Sequence, residues 1–220
     1  SDLKRLHNTI YKEEIMNRIL DKIFLIPGKI MGMIFPYKLL VLFRPFKRRL
    51  YTGWIGVNFS HIGHNTLICG DLHITGGGYI SIGDNSCIDK HCSITALESG
   101  KGMKISIGNH VSIGPYAHIT AINKIEIGDN VDIGPRCLMT DNSKKTTIET
   151  MRMIPRKRPL SSKGPIVIGS YTWIGENVCI MPGVTIGECC VIGANAVVAK
   201  SFPDGSIIAG NPAKLISKIQ

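Results

Sequence analysis

The stretch IVIGSYTWIGENVCIMPGVTIGECCVIGANAVVAKS, residues 166–201, divides into six hexads: IVIGSY, TWIGEN, VCIMPG, VTIGEC, CVIGAN and AVVAKS. The third position is Ile or Val in every one. Working outward, twelve more hexads lie upstream: SHIGHN, TLICGD and LHITGG from Ser60; ISIGDN, SCIDKH and CSITAL from Ile80; ISIGNH, VSIGPY and AHITAI from Ile105; and IEIGDN, VDIGPR and CLMTDN from Ile125. Across all eighteen the third position is Ile sixteen times, with Met139 and Val198 as the exceptions, and the fourth is Gly ten times. Repetition on this scale governs the fold. Thr75, Thr95, Thr120 and Thr140 each hold the fourth position of every third hexad, so the structural unit is eighteen residues. We read it as three short flat strands making one triangular coil of a parallel solenoid. Alternation along a strand turns positions one and three inward, and stacking about six such coils buries a continuous Ile column. Gly at position four suits the sharp corner between faces.

The rest of the composition is compatible with this. Of the 220 residues 44% are hydrophobic and 19% charged, which excludes wholesale disorder. Residues 1–50 form a separate, basic, amphipathic region in which Leu3, Leu6, Ile10, Ile15, Ile19 and Ile23 recur at helical spacing, and we expect a helical cap on the open end of the solenoid. The apolar tract Ile23 to Phe43 is broken by Pro27, Lys29, Pro36 and Lys38, so it is a poor spanning helix but a candidate for peripheral contact with a membrane surface. Seven Cys, an odd number, and no recognisable signal peptide point to reduced thiols in a cytoplasmic protein, with a position at the inner face of the membrane as the variant of that expectation. Cys92, Cys137 and Cys190 occupy inward position one, where a small apolar residue packs.

Residues 51–220, with the loop 143–165 extruded and a tail at 202–220, resemble the hexapeptide-repeat acyltransferases. The stretch from Ile166 through GNPAK (residues 210–214) resembles in particular their maltose/galactoside and polysaccharide O-acetyltransferase branch. The resemblance implies a mainly β fold, the left-handed parallel β-helix, and a homotrimer whose clefts lie between neighbouring solenoids. It implies acetyl-CoA as co-substrate, with no metal, and direct attack of a sugar hydroxyl on the thioester during polysaccharide or glycan assembly. Carried over by position, Trp173 matches a cleft residue placed to meet both acceptor and CoA, and Ala194, Lys200 and Lys214 match the lining of the CoA channel. The general base of the family is a His, a side chain whose ordinary pKa lies near neutrality. It aligns five residues beyond Met139, where this chain has Lys144, and no His follows His118. Lysine, with an ordinary pKa of about 10.4, is protonated at neutrality and does not take that proton, so Lys144 is assigned to acceptor binding. Two replacements for the base are ranked by position: Asp141, in the corner of the same coil, and His118, one coil below Leu138 on the same face.

Two other readings remain at this stage. One is a trimeric binding or scaffold protein that kept the solenoid and lost catalysis with the His. The other is a zinc protein like the γ-type carbonic anhydrases, which share the solenoid; here His91, His110 and His118 fall on different corners or faces, and zinc needs convergent ligands. Charge sharpens the acceptor. Residues 1–50 carry 11 Lys and Arg against 4 Asp and Glu, the loop 143–165 carries 7 against 1, and everything else carries 8 against 11. The solenoid is therefore not basic, and no nucleic acid is expected as a partner. A basic loop beside the cleft suits an acidic sugar, or a nucleotide-linked or lipid-linked one.

Overall fold

The computed structural model describes residues 13, 15–34, 37–97 and 102–219. Leu3, Leu6 and Ile10 of the helical pattern lie outside the described residues. The chain divides into two compact units, Ser1–Lys47 and Arg48–Gln220. In the first, residues 15–20 are helical, and a π-helical segment Asp21–Leu25 and the helix Ile26–Ile34 follow. Ile15, Ile19 and Ile23 are all exposed there. A further helix, Tyr37–Gly56, runs across the division.

The second unit is the solenoid. Strands His61–Ile62, Ile80–Ile82, Ile105–Ile107, Ile125–Ile127, Ile166–Ile168 and Thr185–Ile186 stack in parallel as a first face. Leu67–Ile68, Cys87–Ile88, Ser112–Ile113, Asp132–Ile133, Trp173–Ile174, Val191–Ile192 and Ser206–Ala209 make the second. His73–Thr75, Ser93–Ala96, His118–Ala121, Leu138–Thr140, Cys179–Ile180 and Val197–Val198 make the third. One strand from each face is one coil, and there are six coils. Register is hexad on hexad: Ile125 pairs with Ile105 and Ile166, and Ile133 with Ile113 and Ile174. From Ile80 onward every residue at positions one and three is buried, which makes one unbroken core column. At about 1.5–3 kcal/mol per buried aliphatic side chain, this column is the main source of stability.

The corners depart from the simple glycine argument. The left-handed backbone sits at position six, mostly on non-glycine residues: Asn65, Asn85, His110, Asn130, Tyr171 and Cys189 between the first and second faces. Asn tolerates that conformation better than other side chains. Glycine at position four answers a different demand, the closeness of the next coil. A Cβ on Gly108 would stand 2.5 Å from Asp129 Oδ1 and 2.7 Å from the backbone of Gly128. That space is occupied by a row of side chains at position five. Asp84 accepts from the His64 N–H at 2.7 Å, Asn109 from Asp84 at 2.8 Å, Asp129 from Asn109 at 2.7 Å and Ser170 from Asp129 at 3.1 Å. After a gap at Glu188, Asp204 accepts from the Glu188 N–H at 2.9 Å.

Both ends of this unit are covered. At the first coil the last turns of helix Tyr37–Gly56 lie across the strands: Thr52 Oγ1 accepts from the Ile68 N–H at 2.8 Å, and the Tyr51 hydroxyl accepts from Leu72 at 3.1 Å. Ile55 and Phe59 are buried. At the other end the chain turns back as strand Lys214–Lys218, antiparallel to Ser206–Ala209. The extruded segment leaves the corner between the third and first faces of the fourth coil. It is an ordered arm, with an antiparallel pair Asn142–Lys144 and Leu160–Ser162, a short helix Ile148–Met151 and a turn Pro155–Lys157.

Candidate active site

The third face carries one half of the candidate residues. His118 lies directly beneath Leu138 in register, as its hexad position requires. Its side chain projects outward, and Nε2 shares a 2.8 Å hydrogen bond with Thr120 Oγ1, two residues along the same strand. That bond links two members of one outward row and orients the imidazole. The Thr column was legible in the sequence, but only as a marker of the eighteen-residue period; its fixed offset of two residues from His118 was the available signal.

Asp141 stands one residue past this strand and is placed for another purpose than expected. It is fully buried. Oδ1 accepts from Ile122 at 2.9 Å, and Oδ2 accepts from Asn123 and Lys124 at 2.7 Å each. Both oxygens are thus engaged by backbone amides of the preceding inter-coil turn, and neither faces solvent or an acceptor. This geometry is that of a turn clamp, which weighs against the expectation of a catalytic carboxylate at Asp141. Lys144 is also engaged within the chain. Its Nζ donates to the Arg158 carbonyl at 3.2 Å and to the Arg156 carbonyl at 3.5 Å, closing the arm on itself. Arg158 does the same toward Met151 at 3.1 Å and Met153 at 3.4 Å. The remaining cations of the arm, Lys145, Arg152, Arg156, Lys157 and Lys163, are exposed. Beside them are exposed Ile148, Met151, Met153 and Ile154, apolar residues that a reading of the loop by charge alone passed over.

The second face carries the other half. Trp173 is 56% exposed, paired with Asp132 below and Val191 above. Lys214 opens the final strand of the same sheet, opposite Ala209. Three strand spacings, about 14 Å, separate it from Trp173. Ala194 is exposed at the corner between the second and third faces. Lys200 sits at the corner between the third and first faces of the sixth coil, its Nζ 5.5 Å from the centre of the Phe202 ring. One chain therefore does not gather the candidates into one cleft: His118 and the arm face one way, Trp173 and Lys214 another.

All seven Cys are free thiols. Burial pushes Cys92 up from the ordinary 9.0 to about 11, and burial together with the neighbouring Cys87 does the same for Cys69, whose Sγ lies 3.6 Å from that of Cys87. These are packed, protonated thiols with no nucleophilic character near neutrality. Among the described residues no three His, Cys, Asp or Glu side chains form a group able to hold a metal ion.

The comparisons with known proteins agree on one class of chemistry. The family model described as "Bacterial transferase hexapeptide (six repeats)" matches residues 165–200. The chain is 34% identical over 151 residues to the "Putative lipopolysaccharide biosynthesis O-acetyl transferase WbbJ" of Escherichia coli K12, covering 66% of this chain and 75% of that protein. Matches to proteins of Staphylococcus aureus are shorter, one of them, "Putative acetyltransferase SAV2555", being 46% identical over 74 residues, 34% of this chain and 37% of the relative's length. Among solved structures, the N-acyltransferase AntD of Bacillus cereus, in complex with dTDP and 3-hydroxybutyryl-CoA, superposes with a TM-score of 0.67 at 26% identity, over 77% of this chain and 88% of that one. The hexapeptide-repeat acetyltransferase VCA0836 of Vibrio cholerae, complexed with acetyl-CoA, gives 0.52 at 28% identity, over 74% and 73%.

Proposed function

Because the chain belongs to the hexapeptide-repeat acyltransferase family and has its left-handed parallel β-helix, we propose that it moves an acetyl group from acetyl-CoA to a hydroxyl of a nucleotide-linked or lipid-linked sugar, in polysaccharide or glycan assembly. Oxygen is preferred to nitrogen as the acceptor atom because the relative with the higher identity, 34% against 26%, is named for O-acetyl transfer. The linked sugar draws support from the dTDP bound to AntD and from the exposed cations of the arm.

In this reading the acceptor oxygen attacks the thioester carbonyl carbon as its proton passes to His118, the C–S bond breaks, and the proton is returned to the departing CoA sulfur, which leaves as free thiol. The observation that carries the assignment is the exposed imidazole of His118, oriented by Thr120 Oγ1 on the coil just below the arm. With Asp141 tied to three amides, His118 is the remaining candidate base. Trp173 offers a flat exposed surface to the pantetheine arm beside Ala194, and Lys200 and Lys214 are cations of the type that suits its phosphates. Lys144 serves acceptor binding indirectly, by holding the arm in shape.

The proposal includes a homotrimer. A heterologous contact that closes a ring sets the second face of one copy against the third face of the next, and so brings Trp173 and His118 to opposite sides of one cleft. Seven free thiols suit the reducing conditions of the cytoplasm. The test is thiol release from acetyl-CoA with a panel of nucleotide-linked sugars. His118→Ala is expected to lower kcat by about 10²-fold or more at little change in KM for acetyl-CoA, and Thr120→Val by less. Full activity in His118→Ala overturns the base assignment. If acetyl-CoA raises the melting temperature but no acceptor ever releases thiol, the scaffold reading takes its place; that reading is favoured by Lys144 standing where the family has its base.

A further inference from the structure

Helix Tyr37–Gly56 has two unlike sides. Through Tyr51, Thr52 and Ile55 it closes the first coil. On its other side Leu42, Phe46, Leu50 and Trp54 follow one another at intervals of four, with Val57 just past the helix end, so they form a single stripe along the helix. All five are between 64% and 84% exposed. Phe43 widens the stripe. Lys47 and Arg49 flank it on its two edges, and the basic residues of the helix outnumber its acidic ones five to none. In the first unit Ile23, Phe24, Met31 and Met33 are likewise exposed, in a stretch that also carries Lys22 and Lys29. No helix among the described residues is long and apolar enough to cross a membrane.

We propose that this stripe docks on the surface of an anionic phospholipid bilayer, the helix lying in the interface with its apolar row among the acyl chains and its flanking cations on headgroup phosphates. Three observations favour lipid over a protein groove. Cations border the row on both sides, where headgroups surround an interfacial helix. A Trp, apolar with one polar edge, stands near the helix end, as interfacial anchors do. Residues 1–50 carry 11 basic against 4 acidic residues, while the solenoid outside the arm carries 8 against 11, so the helix stands in a basic stretch and the coils themselves add no attraction to an anionic surface. The inference does not depend on the acyltransferase reading, since binding to lipid requires neither acetyl-CoA nor acceptor.

The experiment is flotation of the full chain with vesicles of phosphatidylcholine alone or mixed with phosphatidylglycerol. The expected result is binding to the mixed vesicles about tenfold or more tighter than to the neutral ones, weakening as salt is added. In a Trp173→Phe chain, the emission of Trp54 is expected to shift to the blue on mixing and to be quenched by brominated acyl chains. The double variant Phe46→Glu, Leu50→Glu is expected to lose flotation and keep its melting temperature, because both side chains are exposed. Absence of flotation, equal binding to both vesicle types, or undiminished flotation of the double variant overturns the proposal. A fall in particle mass in the double variant without any lipid binding assigns the stripe to contact between copies of the chain instead.

Discussion

Asp141 separates what a residue type can do from what its surroundings let it do. A carboxylate next to an expected catalytic position reads, in sequence, as a candidate base. The three amides that engage it belong to residues 122–124, one coil earlier, and no local pattern announces that meeting. Asp141→Ala removes the carboxylate to which the part-buried amides of residues 122–124 donate. The expected cost is about 3 kcal/mol, a melting temperature lower by roughly 6–12 °C for a chain of this size, measurable by circular dichroism. If Asp141 were the base, the acid limb of the pH–rate profile would disappear; in a turn clamp that limb stays. Cys92 gives a pH test of the core. Its thiol ionises near 9.0 when exposed and at about 11 in the fold, because burial disfavours the thiolate. The unfolded chain therefore loses this proton first, so stability is full below pH 9 and falls as pH rises toward 11. Cys92→Ala is expected to flatten the decline in melting temperature over that window. The inward position of Cys92 was readable from its hexad number.

At the scale of the element, periodicity made the strands, their inward positions and their grouping in threes legible before any coordinates, because burial selects the same residue every sixth place. What periodicity did not disclose is why position four is glycine. The glycine responds to an atom in the next coil, and the left-handed residue stands two places later, as Asn, His, Tyr, Cys or Arg. Gly108→Ala is therefore expected to destabilise by about 1–3 kcal/mol through contact with Asp129 and Gly128. Gly78→Ala, where no atom lies within 4 Å of the added carbon, is expected to change stability by less than about 0.5 kcal/mol. Denaturant titration of the two variants side by side checks the contrast. The arm was legible as an excess of length and charge, but its own architecture was not. Lys144 and Arg158 fold it by donating to its carbonyls, contacts that composition cannot encode.

At the scale of the whole molecule, the candidate residues divide between two faces, and a working site on this reading needs two copies. Chains carrying His118→Ala and chains carrying Trp173→Ala are each expected to be nearly inactive. Unfolded together and reassembled in equal amounts, they are expected to recover about a quarter of wild-type sites, since about half of the contacts are mixed and only one of the two orders of a mixed contact joins an intact His118 to an intact Trp173. Recovery of thiol release after mixing, against none for either chain alone, checks this; no recovery means that both residues act within one chain. The row of position-five side chains along the first corner adds a direction to the solenoid. Wherever the row is filled, an amide is met by an oxygen that the chain supplies 16 to 41 residues later. A polypeptide emerging from the ribosome therefore finishes each such corner only when the following coil has arrived. A product cut short within the repeats carries an unfinished corner and an open sheet edge at its growing end, while the coils already laid down beneath it are complete.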